Sequence, residues 1–495
     1  MARIGELVVQ NPWWKYGRDF TLHDVNLSRG KGPVFFRRRD FELLKEEVYV
    51  LRGSRQIGKT VYLKDKIRRL IEGGVDPRRI LYLSFDFFTS RRELRNALGY
   101  FFDTNRDANE IYLFMDEITT LRDWNLELKY LSDSGTLKRA KTVITGSSGS
   151  SLRKGELVPG RRLEGNEYHL RPLPFREFVM QSLDHLAELS EDAGFRASLR
   201  RLGKALKDVT IDLGWGVEKI HEAVSRIVPF KEELSYFFRI YLATGGFPAV
   251  VNSHLRSSAE GKGRIEPEQA EVFVRSVVGD MTKQGKQEGS VREILKMVIE
   301  KYGTRYSFRK LGGDVGITHA TLEEYLWLLQ ESFILRVLNS FDLQNERVRH
   351  KGDKKIFFQD PFILYSLESY LAGKDINDVI LESLQDEMRM GSIVEGIVCS
   401  HLEAAGEVPF LKEVETFLWY YYDQRRELDF VVRTNGGMLG IEVKYQNSVG
   451  TGDVPAVGLK KCLVLSKEDF VREGDALIIP VDLFLPLLGP SKSNL

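Results

Sequence analysis

Apolar and polar positions repeat along this chain with two different periods, and the places where the period changes divide it. Between residues 46 and 178, short apolar runs (Val48–Leu51, Ile80–Asp86, Ile111–Met115 and Thr142–Ser148) are separated by stretches such as Val61–Ile71, whose apolar residues recur every three or four positions. Strand alternating with helix predicts a parallel α/β sheet. The preceding residues, 1–45, are mixed and read as a separate N-terminal segment. Helical spacing dominates from 179 to 290, for example in Leu199–Ile211 and Glu232–Leu242, with a sharp turn at Gly245-Gly246-Phe247-Pro248. Residues 291–370 predict helices at Val291–Tyr302, Ser307–Leu311 and Thr318–Gln330. Two strands follow, Phe333–Leu338 and Lys355–Phe358, joined by the basic run Arg347–Lys355. In residues 371–495 a helix opens at Gly391–Val398. Strand patterns then fall at Thr416–Tyr421, Glu427–Val432, Leu439–Lys444 and Lys461–Ser466, a second α/β domain.

The first sheet carries the clearest chemistry. Between the run Val48–Leu51 and the helix at Val61 stands Gly53-Ser54-Arg55-Gln56-Ile57-Gly58-Lys59-Thr60. A glycine-bounded loop between strand and helix lets consecutive backbone N–H groups wrap an anion, helped by the positive end of the helix dipole. In such a loop Lys59 reaches the β- and γ-phosphates of a nucleoside triphosphate, and the Thr60 hydroxyl sits on Mg²⁺. Strand Ile111–Met115 ends in Asp116-Glu117, so Asp116 is expected to hold Mg²⁺ and Glu117 to polarise the attacking water. At the tip of the fourth strand, Thr145 or Ser147 is placed to meet the γ-phosphate or that water. Arg161 or Arg162 is the candidate arginine finger, which, acting in trans, requires a homo-oligomer.

Composition narrows the setting. The 495 residues exceed what one core accommodates. Lys and Arg number 72 against 71 Asp and Glu, so a nucleic-acid partner has to be sought in local patches. With Cys399 and Cys462 the only cysteines, a disulfide framework is excluded and a reducing, cytoplasmic location is expected. Met1–Glu6 has no apolar signal core, and the apolar run Leu477–Leu488 is broken by Pro480, Asp482 and Pro486. No membrane association is expected.

Gly-x-x-x-x-Gly-Lys-Thr, the Asp116-Glu117 strand, Thr145-Gly146-Ser147-Ser148, Gly160-Arg161 and Leu173-Pro174-Phe175-Arg176-Glu177-Phe178 occur in this order. The series resembles the prokaryotic AAA-type ATPases common in archaea, over residues 45 to 450. The resemblance implies a P-loop NTPase sheet (46–178), a helical lid (179–290), a winged helix (291–370) and an α/β nuclease-like domain (371–495), with ATP and Mg²⁺ as cofactors.

Within 371–495, strand alternation puts Glu442 and Lys444 on one face, and Asp429 on the neighbouring strand can meet them. Two carboxylates and a lysine can bind Mg²⁺ and activate water for phosphodiester attack. The set is similar to the restriction-endonuclease-like core Asp…Glu-x-Lys, with Glu395 on the preceding helix as a further metal ligand; Leu428 stands where that superfamily often has proline. Ordinary cross-strand ion pairing is the structural alternative. The expected function is therefore an ATPase coupled to a DNA-directed, Mg²⁺-dependent nuclease domain. The alternative is a nucleotide-switched interaction or scaffold protein whose nuclease fold is silent. The hairpin run Arg347–Lys355 is the expected DNA contact through phosphates, because Glu323 and Glu324 disfavour base reading by the third helix of the winged helix.

Overall fold

The computed structural model describes residues 4–29, 32–44, 46–88, 90–121, 123–146, 166–406 and 416–489. Two compact units divide the chain between Arg171 and Pro172.

In the first unit a five-stranded sheet is built from β1 (Val48–Arg52), β2 (Ile80–Ser84), β3 (Tyr112–Asp116), β4 (Lys141–Gly146) and β5 (Glu167–His169). Their order is β2-β3-β4-β1-β5, and each adjacent pair runs parallel. Strands buried on both faces need near-continuous apolar sequence, which β1 to β3 have, while β4 buries Val143 and Ile144 between threonines. The connecting helices show why their segments coil. In Lys59–Glu72 the buried Leu63, Ile67 and Ile71 recur every fourth residue. In Arg91–Thr104 the Ser90 hydroxyl accepts the Glu93 N–H and caps the helix, while Leu94, Ala97, Leu98, Phe101 and Phe102 face the core.

The N-terminal segment belongs to this unit. Its side chains satisfy the outer edge of β2: Asn11 accepts the Tyr82 N–H at 2.7 Å and donates to the Tyr82 carbonyl at 3.0 Å, in the manner of a neighbouring strand. The indole N–H groups of Trp13 and Trp14 both donate to the Ile80 carbonyl. Covering an edge strand in this way removes unpaired backbone groups from solvent.

Helices from Phe175–Leu189 to Glu387–Ala405 make up much of the second unit, together with a nine-stranded mixed sheet. Its strands are β6 (Arg305–Tyr306), β7 (Leu335–Asp342), β8 (Arg347–Phe358), β9 (Leu418–Tyr422), β10 (Glu427–Thr434), β11 (Gly437–Lys444), β12 (Cys462–Ser466), β13 (Val471–Glu473) and β14 (Ala476–Pro480). The order is β13-β14-β12-β11-β10-β9-β7-β8-β6.

Helices Glu288–Glu300, Phe308–Val315 and His319–Glu331 precede the β7–β8 hairpin. The expected boundary at 370/371 does not separate two sheets, however. β7 pairs in parallel with β9 (Ser340 with Tyr420, Phe341 with Tyr421), and the rings of Phe341 and Trp419 stack at 4.4 Å. The hairpin's free edge is thereby paired into the C-terminal sheet. Residues 179–290 likewise pack with the C-terminal part. Lys461 Nζ donates to the carbonyls of Leu213 and Trp215, and Arg176 to those of Val209 and Pro486. No helix among the described residues is long and apolar enough to cross a membrane.

Candidate nucleotide site and a second carboxylate cluster

β1 ends at Arg52, and the loop from Gly53 to Gly58 turns the chain into the helix Lys59–Glu72. Two glycines are required here. A Cβ on Gly53 would lie 2.4 Å from the Leu170 carbonyl oxygen, and Gly58 caps the helix at φ 98°. Ile57 is buried beneath the loop, while Arg55 is half-buried and Gln56, at φ 60°, is exposed. The Ser54 hydroxyl is buried and has no hydrogen-bond partner among the described residues. A buried donor left over inside a backbone cradle is what a phosphate oxygen satisfies, so the loop fits the group its sequence implies.

Lys59 is buried, and its Nζ donates to the Gly53 and Ser54 carbonyls at 3.0 Å each and stands 3.4 Å from Glu117 Oε1. Parallel register brings the ends of β1, β3 and β4 together, with Asp116 at the centre. Its Oδ2 accepts from Thr60 Oγ1 at 2.6 Å and from the Tyr82 hydroxyl at 2.7 Å; its Oδ1 accepts from Thr145 Oγ1 at 2.6 Å. The same Thr145 oxygen accepts the Glu117 N–H at 2.9 Å, and Glu117 holds a left-handed φ of 55°. Thr60 and Asp116, the two groups expected at Mg²⁺, therefore meet in one place and supply the hard oxygen atoms that ion prefers.

Two of these roles were not legible. Tyr82, in the middle of an ordinary-looking apolar strand, reaches Asp116 from β2. Burial, then the Asp116 charge, pushes its phenol well above the ordinary value and keeps it a neutral donor. Thr145, expected at phosphate or water, instead has its hydroxyl committed to Asp116 and Glu117. The expected phosphate contact Ser147 and the candidate fingers Arg161 and Arg162 lie outside the described residues.

The second unit assembles another ionic group. Helix Glu387–Ala405 brings Glu395, β10 brings Glu427 and Asp429, and β11 brings Glu442 and Lys444. The hairpin strand β8 contributes Lys355, which the sequence pattern assigned to a basic tip. Lys355 Nζ lies 2.8 Å from Glu395 Oε1, 2.8 Å from Asp429 Oδ1 and 2.9 Å from Glu427 Oε1. Asp429 Oδ2 accepts the Val443 N–H at 2.9 Å. Glu442 Oε2 accepts the Asp429 N–H at 3.3 Å, while its Oε1 faces Lys444 Nζ at 3.2 Å. Burial pushes Asp429 up, but Lys355 and the Val443 N–H outweigh it and hold the carboxyl below its usual value. Burial, reinforced by the Asp429 charge, drives Glu395 well up and Glu442 up to about 7. Among the described residues, no three His, Cys, Asp or Glu side chains are arranged to hold a metal ion.

The basic tip is also smaller than its sequence. Besides Lys355, Lys354 is buried, donating to the His350 and Gly352 carbonyls. Arg349 pairs with Asp342 at 3.1 Å. Arg347, His350 and Lys351 remain exposed.

Three families match parts of this chain. An AAA domain matches residues 45–179, a domain of unknown function (DUF8612) residues 236–374 and another (DUF4143) residues 390–478. Two uncharacterized proteins of Methanocaldococcus jannaschii, MJ1637 and MJ1544, are 23% and 22% identical. The first covers 77% of this chain and 79% of its own length, the second 83% and 77%. Among solved structures, Cdc6p of Pyrobaculum aerophilum is 16% identical (68% of this chain, 88% of that one, TM-score 0.26). The Orc1 protein of Aeropyrum pernix, solved in complex with DNA, is 12% identical (65% and 86%, TM-score 0.29). The family match and the loop geometry agree that the first unit contains an AAA-type P-loop ATPase domain.

Proposed function

We propose that this protein binds and hydrolyses ATP and that its second unit engages DNA. One observation carries the ATPase reading: Asp116 accepts hydrogen bonds from Thr60, Tyr82 and Thr145 while Glu117 stands 3.4 Å from Lys59. A lysine for phosphate charge, a hydroxyl–carboxylate pair and a second carboxylate converge where the phosphate loop ends. Lys59 neutralises the β- and γ-phosphates, and Glu117 orients and polarises the attacking water. Mg²⁺, held by Thr60 and Asp116, would offset charge developing on the transferred phosphoryl. Arg161 or Arg162 from a second copy would complete the site, making the active form a homo-oligomer.

DNA contact is supported by the exposed Arg347, His350 and Lys351 at the hairpin tip, with Arg425 exposed on the β9–β10 turn. The Arg349 guanidinium, which donates to the Tyr422 carbonyl, ties the hairpin to the end of β9. Such cations grip phosphates without reading sequence. On the third helix of the expected winged helix, Glu324 pairs with Lys286 and Glu323 with His319, which supports non-specific contact over base reading. A cytoplasmic location is in keeping with two buried free cysteines.

The test is ATP turnover by the full chain and its Lys59→Ala and Glu117→Gln variants. Both are expected to fall at least about a hundredfold; undiminished rates in both would remove this site assignment. DNA affinity should fall steeply with added salt and weaken in Arg347→Ala/Lys351→Ala. Affinity indifferent to salt and to these changes would favour a protein partner.

A further inference from the structure

Lys355 departs from what its sequence position suggests. It closes a run of cationic residues, yet it is 2% exposed and its ammonium is enclosed by Glu395, Glu427 and Asp429 at 2.8–2.9 Å. Two of these carboxylates are ones a nuclease-like fold would turn toward Mg²⁺. The ammonium donates to Glu395 Oε1 and Asp429 Oδ1 and stands within ion-pair distance of Glu427.

Several of the remaining oxygens have partners as well. Arg305 Nε donates to Glu427 Oε2 at 2.8 Å, the Val443 N–H to Asp429 Oδ2, and the Asp429 N–H and Lys444 flank Glu442. A Mg²⁺ on Glu395 Oε1 or Asp429 Oδ1 would stand about 2.1 Å from an oxygen that already accepts from the ammonium, placing two cations in near contact. Buried carboxylates persist only when paired, and here the pairing cation comes from the chain itself.

We propose that Lys355 is the resident cation of this cluster. It fills with an internal ammonium the place where a nuclease-like fold takes a divalent ion. The second unit therefore binds no divalent metal there and cuts no phosphodiester. Its ionic centre instead fastens β8, whose far end carries Arg347 and Lys351, to the helix Glu387–Ala405 and to β10. The carboxylate cluster is the anchor of the basic hairpin, and the unit works as a binding frame.

The experiment is Mn²⁺ binding to the full chain followed by electron paramagnetic resonance. It is run without nucleotide, so that the ATPase reading plays no part. Wild type is expected to show no Mn²⁺ site that Asp429→Asn removes, and to leave supercoiled DNA intact with Mg²⁺ or Mn²⁺. Lys355→Met should acquire one site per chain, roughly tenfold or more tighter than any in wild type, and lose it in Lys355→Met/Asp429→Asn. The proposal is overturned if wild type holds a Mn²⁺ that Asp429→Asn abolishes. It is equally overturned by metal-dependent nicking that Lys444→Ala abolishes. Should Lys355→Met fail to fold, the wild-type and Asp429→Asn measurements decide the matter alone.

Discussion

Replacing Thr145 by valine keeps the shape of the side chain and deletes one hydroxyl, which makes it a clean probe of the nucleotide site. That hydroxyl is fully buried, donates to Asp116 Oδ1 at 2.6 Å and accepts the Glu117 N–H at 2.9 Å. Losing a hydrogen bond to a charged group costs about 2 kcal/mol. Stranding the partly buried Glu117 N–H adds about 1 kcal/mol, the low end of the desolvation range. The first unit should therefore lose about 3 kcal/mol, or about 6–12 °C in Tm for a domain of its size. Function should suffer separately, because Asp116 and Glu117 lose the group that sets their relative position. A displacement of about 1 Å in such a constellation lowers turnover by up to about a hundredfold. Differential scanning calorimetry and steady-state ATPase assays measure the two effects, with Thr145→Ser expected to retain most of both. Wild-type turnover and melting in Thr145→Val would refute the idea that this hydroxyl organises the acidic pair.

Gly53→Ala should abolish nucleotide binding and cost about 1–3 kcal/mol, since its Cβ would meet the Leu170 carbonyl oxygen at 2.4 Å and force β1 and β5 apart; a fluorescent ATP analogue reports the loss. Glu403→Gln should destabilise the second unit by about 3–5 kcal/mol. Its fully buried carboxylate serves Arg336 and the Gln359 amide, and denaturant titration should show Arg336→Met/Glu403→Gln less damaged than the two single changes combined. His401 sets a pH dependence. Burial lowers its imidazole to about 4, and neutral Nε2 accepts the Phe175 N–H that opens a helix. The unfolded chain binds the extra proton between pH 6.5 and 4, so stability is full above 6.5 and falls as pH drops through that window, by about 3 kcal/mol. Unfolding curves across this window should flatten in His401→Gln, and an unchanged slope would show that the imidazole is not the responsible group.

Legibility tracked the distance over which each role is decided. The phosphate loop could be read because anion binding consumes consecutive backbone N–H groups, so its residues stand side by side. Asp116-Glu117 could be read because a parallel sheet delivers strand ends to one edge. Tyr82 gave no local signal, since its hydroxyl matters only through the register of β2 against β3. Asn11, Trp13 and Trp14 were unreadable for a similar reason: their polar atoms do the work of a strand across some seventy residues of sequence. Lys355 was misread outright. A run of cations ordinarily marks a solvated face, but from Lys354 to Phe358 β8 runs buried within the sheet.

By itself the sequence determined what local chemistry can specify: the alternation of strand and helix, the glycines of the loop, the lysine and threonine that follow, and the spacing of Asp429, Glu442 and Lys444. Tertiary structure decided which cation those carboxylates meet. It also made the hairpin part of the C-terminal sheet and joined three hydroxyls on Asp116. The physical reason is that local preferences act within a turn or a strand, whereas electrostatic partnership depends on which buried groups are brought within about 3 Å. A lysine's charge is written in its codon, but its role is set by the strand that carries it inward.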